Sequence, residues 1–204
     1  MKKKVVIISA IAIVAIFASL YFDSQIVKAV SLIRNSFLDN LFLGITTISS
    51  GVIIFFILTS LFLWQEKKRK WILPLWITLA ATAIVSFLLK ITVRRLRPYQ
   101  LGIVSALPML QEAAHSVWDF SFPSFQAALA FCSLPILNRE FPRLKYLWIA
   151  FACLVAFSRV YFGVHFLSDV IAGSLIGFLI GTLIVNGERE YKFTEKILKK
   201  IFER

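Results

Sequence analysis

The chain has 204 residues, 59% of them hydrophobic, with 20 Phe and a mean hydropathy of +0.80; a soluble domain holds ~45–50% apolar residues, so the chain reads as a membrane protein. Its net charge is +12 although only 17% of its residues are charged, and the cations stand in short clusters between long apolar runs, which argues against nucleic acid and for anionic lipid and the positive-inside rule. Two His and two Cys are too few for a zinc site, and Cys132 and Cys153, both inside apolar segments, read as small hydrophobes and not as a disulfide.

A membrane span needs ~20 predominantly apolar residues. Six segments qualify: Val5–Phe22, Leu41–Trp64, Trp71–Leu89, Phe125–Leu137, Tyr146–Phe157 with its continuation, and Leu167–Asn186. They predict an all-α, polytopic membrane protein of six transmembrane helices, folded as a single domain over residues 1–204. Met1-Lys2-Lys3-Lys4 imitates the start of a signal peptide, but five further spans follow, so the first is read as a retained anchor. Ile26–Phe37 is too short to cross and is predicted to lie along the interface. With a cytoplasmic N-terminus, Lys2–Lys4, Lys67–Lys70, the Arg139/Arg143/Lys145 group and the tail all fall inside, so both termini are expected to be cytoplasmic. The tail, residues 187–204, is basic; it is either an amphipathic helix on anionic lipid or a plain solvated segment.

The cations left on the outer side are Lys28 and Arg34, on the expected interfacial helix, and Lys90, Arg94, Arg95, Arg97 and Arg159, crowded at the outer ends of the third and fifth spans. Topology does not require them there. In "KITVRRLRP" a helix persisting to Arg97 sets Lys90, Arg94 and Arg97 at i, i+4 and i+7 on one face, with Pro98 as its stop. Snorkelling accounts for one such cation. Several together repel each other unless an anion sits among them, and Lys and Arg are the residues that grip phosphate oxygens.

The outer loop then carries His115 and the stretch "DFSFPSFQA". Further on, "SRVYFGVHFLSD" runs from Ser158 to Asp169. Gly163 is expected to end the fifth span. His165 and Asp169, four apart at the start of the sixth helix, are expected to share a face, with Asp169 accepting Nδ1–H and leaving Nε2 free as a nucleophile. Ser158 and Arg159 stand nearby to bind an oxyanion. Ionisable groups at membrane depth are functional candidates by default.

These residues resemble the type-2 phosphatidic acid phosphatase superfamily, whose signature is Lys-six residues-Arg-Pro, then Pro-Ser-Gly-His, then Ser-Arg-five residues-His-three residues-Asp. Lys90 to Arg97-Pro98 matches the first part, and Ser158-Arg159, His165 and Asp169 match the third without a gap. The resemblance implies that His165 forms a phosphohistidine, that Asp169 orients it, and that Lys90, Arg97 and Arg159 cradle the charge-rich transition state. It further implies that Ser124 and the Phe125 amide are oxyanion donors, that Arg94 (with Arg95) steers the head group, and that no metal or other cofactor takes part.

The second motif departs from the family. Pro123-Ser124-Phe125-Gln126 stands where the family has Pro-Ser-Gly-His, and Gln126 has no titratable proton for the leaving group. Three readings stay open: a diphosphate substrate whose leaving group needs no acid, His115 as a substitute acid, or an impaired chain. The expected function is removal of the terminal phosphate from a lipid phosphate or diphosphate, first of all a polyprenyl diphosphate, at the outer face of the cell membrane. The alternatives are a lipid phosphotransferase and a catalytically impaired lipid-phosphate binder. The expected partners are that substrate and membrane lipids, and no nucleic acid.

Overall fold

Seven α-helices make up most of the computed structural model, which describes residues 2–105, 120–192 and 196. They are α1 (Lys2–Ser31), α2 (Ser36–Ile48), α3 (Gly51–Trp64), α4 (Ile72–Val93), α5 (Phe125–Glu140), α6 (Lys145–Tyr161) and α7 (Leu167–Tyr191), with short 3₁₀ turns at Glu66–Trp71 and Pro142–Leu144. No strand occurs among the described residues. His115 and most of the predicted tail lie outside them.

Among the described residues, four stretches are long and apolar enough to cross a membrane: Ser9–Ser31, Glu66–Val93, Pro142–Tyr161 and Leu167–Tyr191. A fifth is the pair α2 and α3, which meet at a bend of 64° and so break the span expected to run straight from Leu41 to Trp64. Ser49 lies at the break and returns its hydroxyl to the Thr46 carbonyl at 3.1 Å, a back-bond that competes with the helical ladder. The fourth expected span, α5, has 16 residues, and most of its middle is buried among the other helices. Large apolar side chains of α1, including Ile11, Val14 and Phe17, are exposed, as a hydrocarbon solvent permits and water does not.

The first span continues without a break into the first half of the segment expected to lie along the interface, as far as Ser31, and the last two residues of that segment begin α2. Asp23, where the apolar run stops, is buried within α1, because a carboxylate that finds partners inside the bundle does not have to end the helix. The chain turns instead at residues 32–35, where the Asn35 side chain accepts the Leu38 amide at 3.0 Å and starts α2.

The centre is the contact of α5 with α7. On α7 the stripe Gly173, Gly177 and Gly181 faces the backbone of α5 so closely that a Cβ at each would overlap the carbonyl oxygens of Ser124, Ala128 and Cys132. Small residues at this four-residue spacing let two helix backbones approach within a membrane. Gly177→Val should therefore cost about 3 kcal/mol or more through overpacking; thermal unfolding in detergent reads this as a large loss of melting temperature. An unchanged melting temperature would mean the two helices are not held at this distance.

Candidate active site

Four helix ends meet around one cavity of about 490 Å³, whose lining includes Lys90, Arg97, Arg159, His165 and Gln126, together with Ala83, Phe87 and Phe125. A larger cavity of about 650 Å³ lies between α1 and α5–α7, but its lining is almost wholly apolar and includes no charged side chain.

Lys90 is in the last turn of α4, and its ammonium donates to the Phe120 carbonyl. α4 ends at Val93, so the stripe expected to continue to Arg97 on one helix is broken. Arg94 adopts the left-handed conformation (φ 51°), turns outward and donates from Nε to the Ile91 carbonyl at 2.9 Å; it does not line the cavity. That turn brings the next two arginines inward by different routes. Arg97 donates from Nη1 to the Val164 carbonyl at 2.9 Å and stands 3.3 Å from Nε2 of His165.

His165 precedes α7, on the extended approach to Phe166. Gly163 ends α6 as expected: its φ is +68°, and a Cβ there would overlap Val104 and the Arg34 guanidinium, so only glycine suits both the left-handed turn and the space. Arg97 can only donate, so Nε2 is the accepting nitrogen and the proton sits on Nδ1. Nδ1 is 4.0 Å from Asp169 Oδ2, beyond hydrogen-bond reach. The Asp169 carboxylate is taken up instead by Arg95 at 2.7 Å, the Ser121 hydroxyl and the Phe166 amide at 2.8 Å. The directly paired His165–Asp169 expected from their spacing is thus replaced by a carboxylate one short movement away. The reason is that His165 lies outside the helix that carries Asp169.

Arg159 is buried, and its Nη1 donates to Thr46 Oγ1 at 3.3 Å. Its Nε, the Ser124 hydroxyl and His165 Nδ1 have no hydrogen-bond partner among the described residues. Buried polar groups left so are costly; Arg159 lines the cavity, where an oxyanion could accept from it, whereas Ser124 is fully buried and not part of the lining. Ser124 is the N-cap of α5 and Phe125 its first residue, so the Phe125 amide belongs to the first turn, whose N–H groups have no intrahelical acceptor. Ser158 is buried and donates along its own helix to Val155 at 2.7 Å, with Thr46 at 3.3 Å; it braces the site from behind and does not line it.

Gln126 donates from Nε2 to the Thr46 carbonyl at 3.2 Å. Thr46 therefore contacts Ser158, Arg159 and Gln126 at once, yet nothing in its local sequence marks it. Asp23 and Ser121 were likewise not singled out, and Arg95, expected to steer the head group, is instead paired with Asp23 and Asp169. The only signal for Asp23 was a lone acid closing an apolar run.

Burial above all, then the charges of Arg97, Lys90 and Arg159, hold the His165 imidazole well below its usual pKa of 6.5, against a small opposing pull from the Ser121 carbonyl. A neutral ring keeps the Nε2 lone pair free of a proton. In a His115→Ala chain His165 is the sole imidazole. Its ligand-free NMR titration in detergent should show a midpoint below 6.5, rising when phosphate enters beside it; a midpoint at or above 6.5 before ligand is added contradicts this electrostatic picture.

Residues 71–191 match the PAP2 superfamily. The chain is 29% identical over 183 residues to phosphatidylglycerophosphatase B of Bacillus subtilis, covering 83% of this chain and 85% of that one. It is 33% identical over 146 residues to undecaprenyl-diphosphatase of Sulfolobus acidocaldarius, covering 69% and 68%. Among solved structures, the transmembrane PAP2-type phosphatidylglycerolphosphate phosphatase of Bacillus subtilis superposes with a TM-score of 0.70 at 26% identity, over 92% of this chain and 96% of that one.

Proposed function

The chain belongs to the PAP2 superfamily, and from that premise we propose that it is a multi-pass membrane phosphatase that removes the terminal phosphate from a lipid diphosphate. The observation that carries the reading is the imidazole of His165 held 3.3 Å from Arg97, in a cavity shared with Lys90 and Arg159. Nε2 attacks phosphorus as the P–O bond to the leaving group breaks. Lys90, Arg97 and Arg159 take up the charge that spreads over the phosphoryl oxygens. Water then cleaves the P–N bond, giving inorganic phosphate and the free imidazole. Asp169 moves onto Nδ1–H as positive charge develops on the ring. Three fixed cations supply the neutralisation that a metal provides elsewhere, so the reaction is expected to proceed in a chelator.

The leaving group decides the substrate class. At the position where an acid is needed for an alkoxide, Gln126 offers an amide already donated to Thr46. A lipid monophosphate leaves without that proton, so a polyprenyl diphosphate suits this site better than phosphatidate or phosphatidylglycerophosphate. The apolar groove between α3 and α4, lined by Phe55, Trp76 and Leu79, shares Gly51, Ala83 and Phe125 with the polar cavity, which supports a substrate with its head among the cations and its chain in the membrane. The basic loops at Lys67–Lys70 and Arg139–Lys145 join helices at the far end of the bundle from this cavity, which by the positive-inside rule supports a site facing away from the cytoplasm.

The test is phosphate release from farnesyl diphosphate and phosphatidate by the purified chain in detergent with a chelator present. Release from the diphosphate is expected; no release from either substrate removes the hydrolase reading. The Gln126–Thr46 bond favours one second reading, a lipid-phosphate binder. Binding of farnesyl diphosphate without turnover, unchanged in His165→Ala, would select it.

A further inference from the structure

Behind His165, on the side away from the three cavity cations, lies a second buried cluster of charge. α1 contributes Asp23, whose side chain is only 4% exposed, at the end of the long apolar run of that helix. A carboxylate in that setting costs several kcal/mol unless it is paired and hydrogen-bonded. Here it accepts Arg95 Nη2 at 2.8 Å, the Ser168 amide at 3.0 Å and the Ser168 hydroxyl. The other arm of the same guanidinium donates to Asp169 Oδ1 and to Ser168 Oγ, both at 2.7 Å, and its plane lies 4.1 Å over the Phe166 ring. One arginine fork therefore spans two carboxylates, from α1 and from the first turn of α7. The Arg95 backbone adds a third link, because its carbonyl accepts the Ser121 amide at 2.7 Å, in the strand of chain that leads to Ser124 and Gln126.

We infer that Asp23 is a positioning residue for the His165 reaction, acting through Arg95 and Ser168 on the Asp169 carboxylate. The inference rests on the proposed reaction, although part of its test does not. Asp23 touches neither the cavity nor the imidazole. It fixes the far end of the Arg95 fork, and the near end holds Asp169 4.0 Å from Nδ1 while the ring is neutral. Lysine cannot replace this arginine, since an ammonium is a point charge without the planar fork that bridges two acids. Asp23 also lies outside residues 71–191, the part that matches the family, so α1 supplies a support that the motif residues do not contain.

The experiment measures kcat and KM for farnesyl diphosphate in Asp23→Asn, Asp23→Glu, Arg95→Lys and the Asp23→Asn/Arg95→Lys double variant, each with a thermal unfolding curve. Asp23→Asn should lower kcat by about 10²-fold, as a small misplacement of a reacting group does, with KM changing less than about threefold. Asp23→Glu should recover part of the loss. If Asp23 works through Arg95, the double variant should be about as slow as Arg95→Lys alone. In parallel, in the His115→Ala background, Asp23→Asn should shift the His165 Nδ1–H resonance without any substrate. That signal separates the two readings: a chain that releases no phosphate overturns the proposed reaction, while an unmoved resonance overturns the role of Asp23. Losses that multiply in the double variant, an unchanged kcat, or a fall in activity that only tracks the folded fraction overturn it as well.

Discussion

Replacing His165 by alanine should abolish phosphate release, lowering kcat by at least ~10⁴-fold, the scale seen when a covalent nucleophile is removed from an otherwise intact site. The fold should survive. His165 sits in the short segment between α6 and α7, outside either helix, and its Nδ1 has no partner among the described residues. The cationic cavity that remains should still bind a lipid diphosphate. Brief incubation of the native chain with terminally labelled diphosphate should leave acid-labile, base-stable label on the protein, and the variant should carry none. Label retained after His165→Ala would move the nucleophile elsewhere and with it the whole assignment of the cavity.

The second large effect is a gain. Gln126→His should raise phosphate release from phosphatidate by ~10²–10⁴-fold, the usual contribution of a general acid to a poor leaving group, while release from farnesyl diphosphate changes by less than about tenfold. Gln126 lines the same cavity as His165, so an imidazole at that position faces the departing oxygen. The asymmetry follows from leaving-group basicity: an alkoxide must be protonated as it departs, whereas a monophosphate is stable as an anion. Equal effects on both substrates would retire the idea that this position selects diphosphates. No gain on phosphatidate, in a variant that still turns over the diphosphate, would retire it as well.

Which charged groups line the polar cavity was largely legible in the linear chain, for a physical reason. Gripping a phosphoryl group requires cations and a nucleophile, and at Lys90, Arg97, Arg159 and His165 these residue types stand in apolar surroundings where nothing else explains them. Membrane character was equally legible, because hydropathy is additive along the chain. The departure at Gln126 could be read directly, since a missing proton donor is a property of one side chain.

What the tertiary structure decided was direction and partnership. Arg94 and Arg95 are neighbours with the same side chain, and helical spacing favoured Arg94. The left-handed turn at Arg94 reverses this, sending Arg94 outward and Arg95 between Asp23 and Asp169. The His165–Asp169 spacing suggested a direct pair, but α7 begins only at Leu167, so the i, i+4 geometry does not apply. Asp23 looked like the end of a span, Thr46 like an ordinary helix residue and Ser121 like loop. Each acquires its role from a side chain far away in sequence: Asp23 from Arg95, Thr46 from Arg159, Ser121 from Asp169. Composition and spacing determined which groups this protein possesses and that it lives in a membrane. Which of those groups face each other depends on where each helix stops and on contacts between distant segments, and no local pattern encodes either.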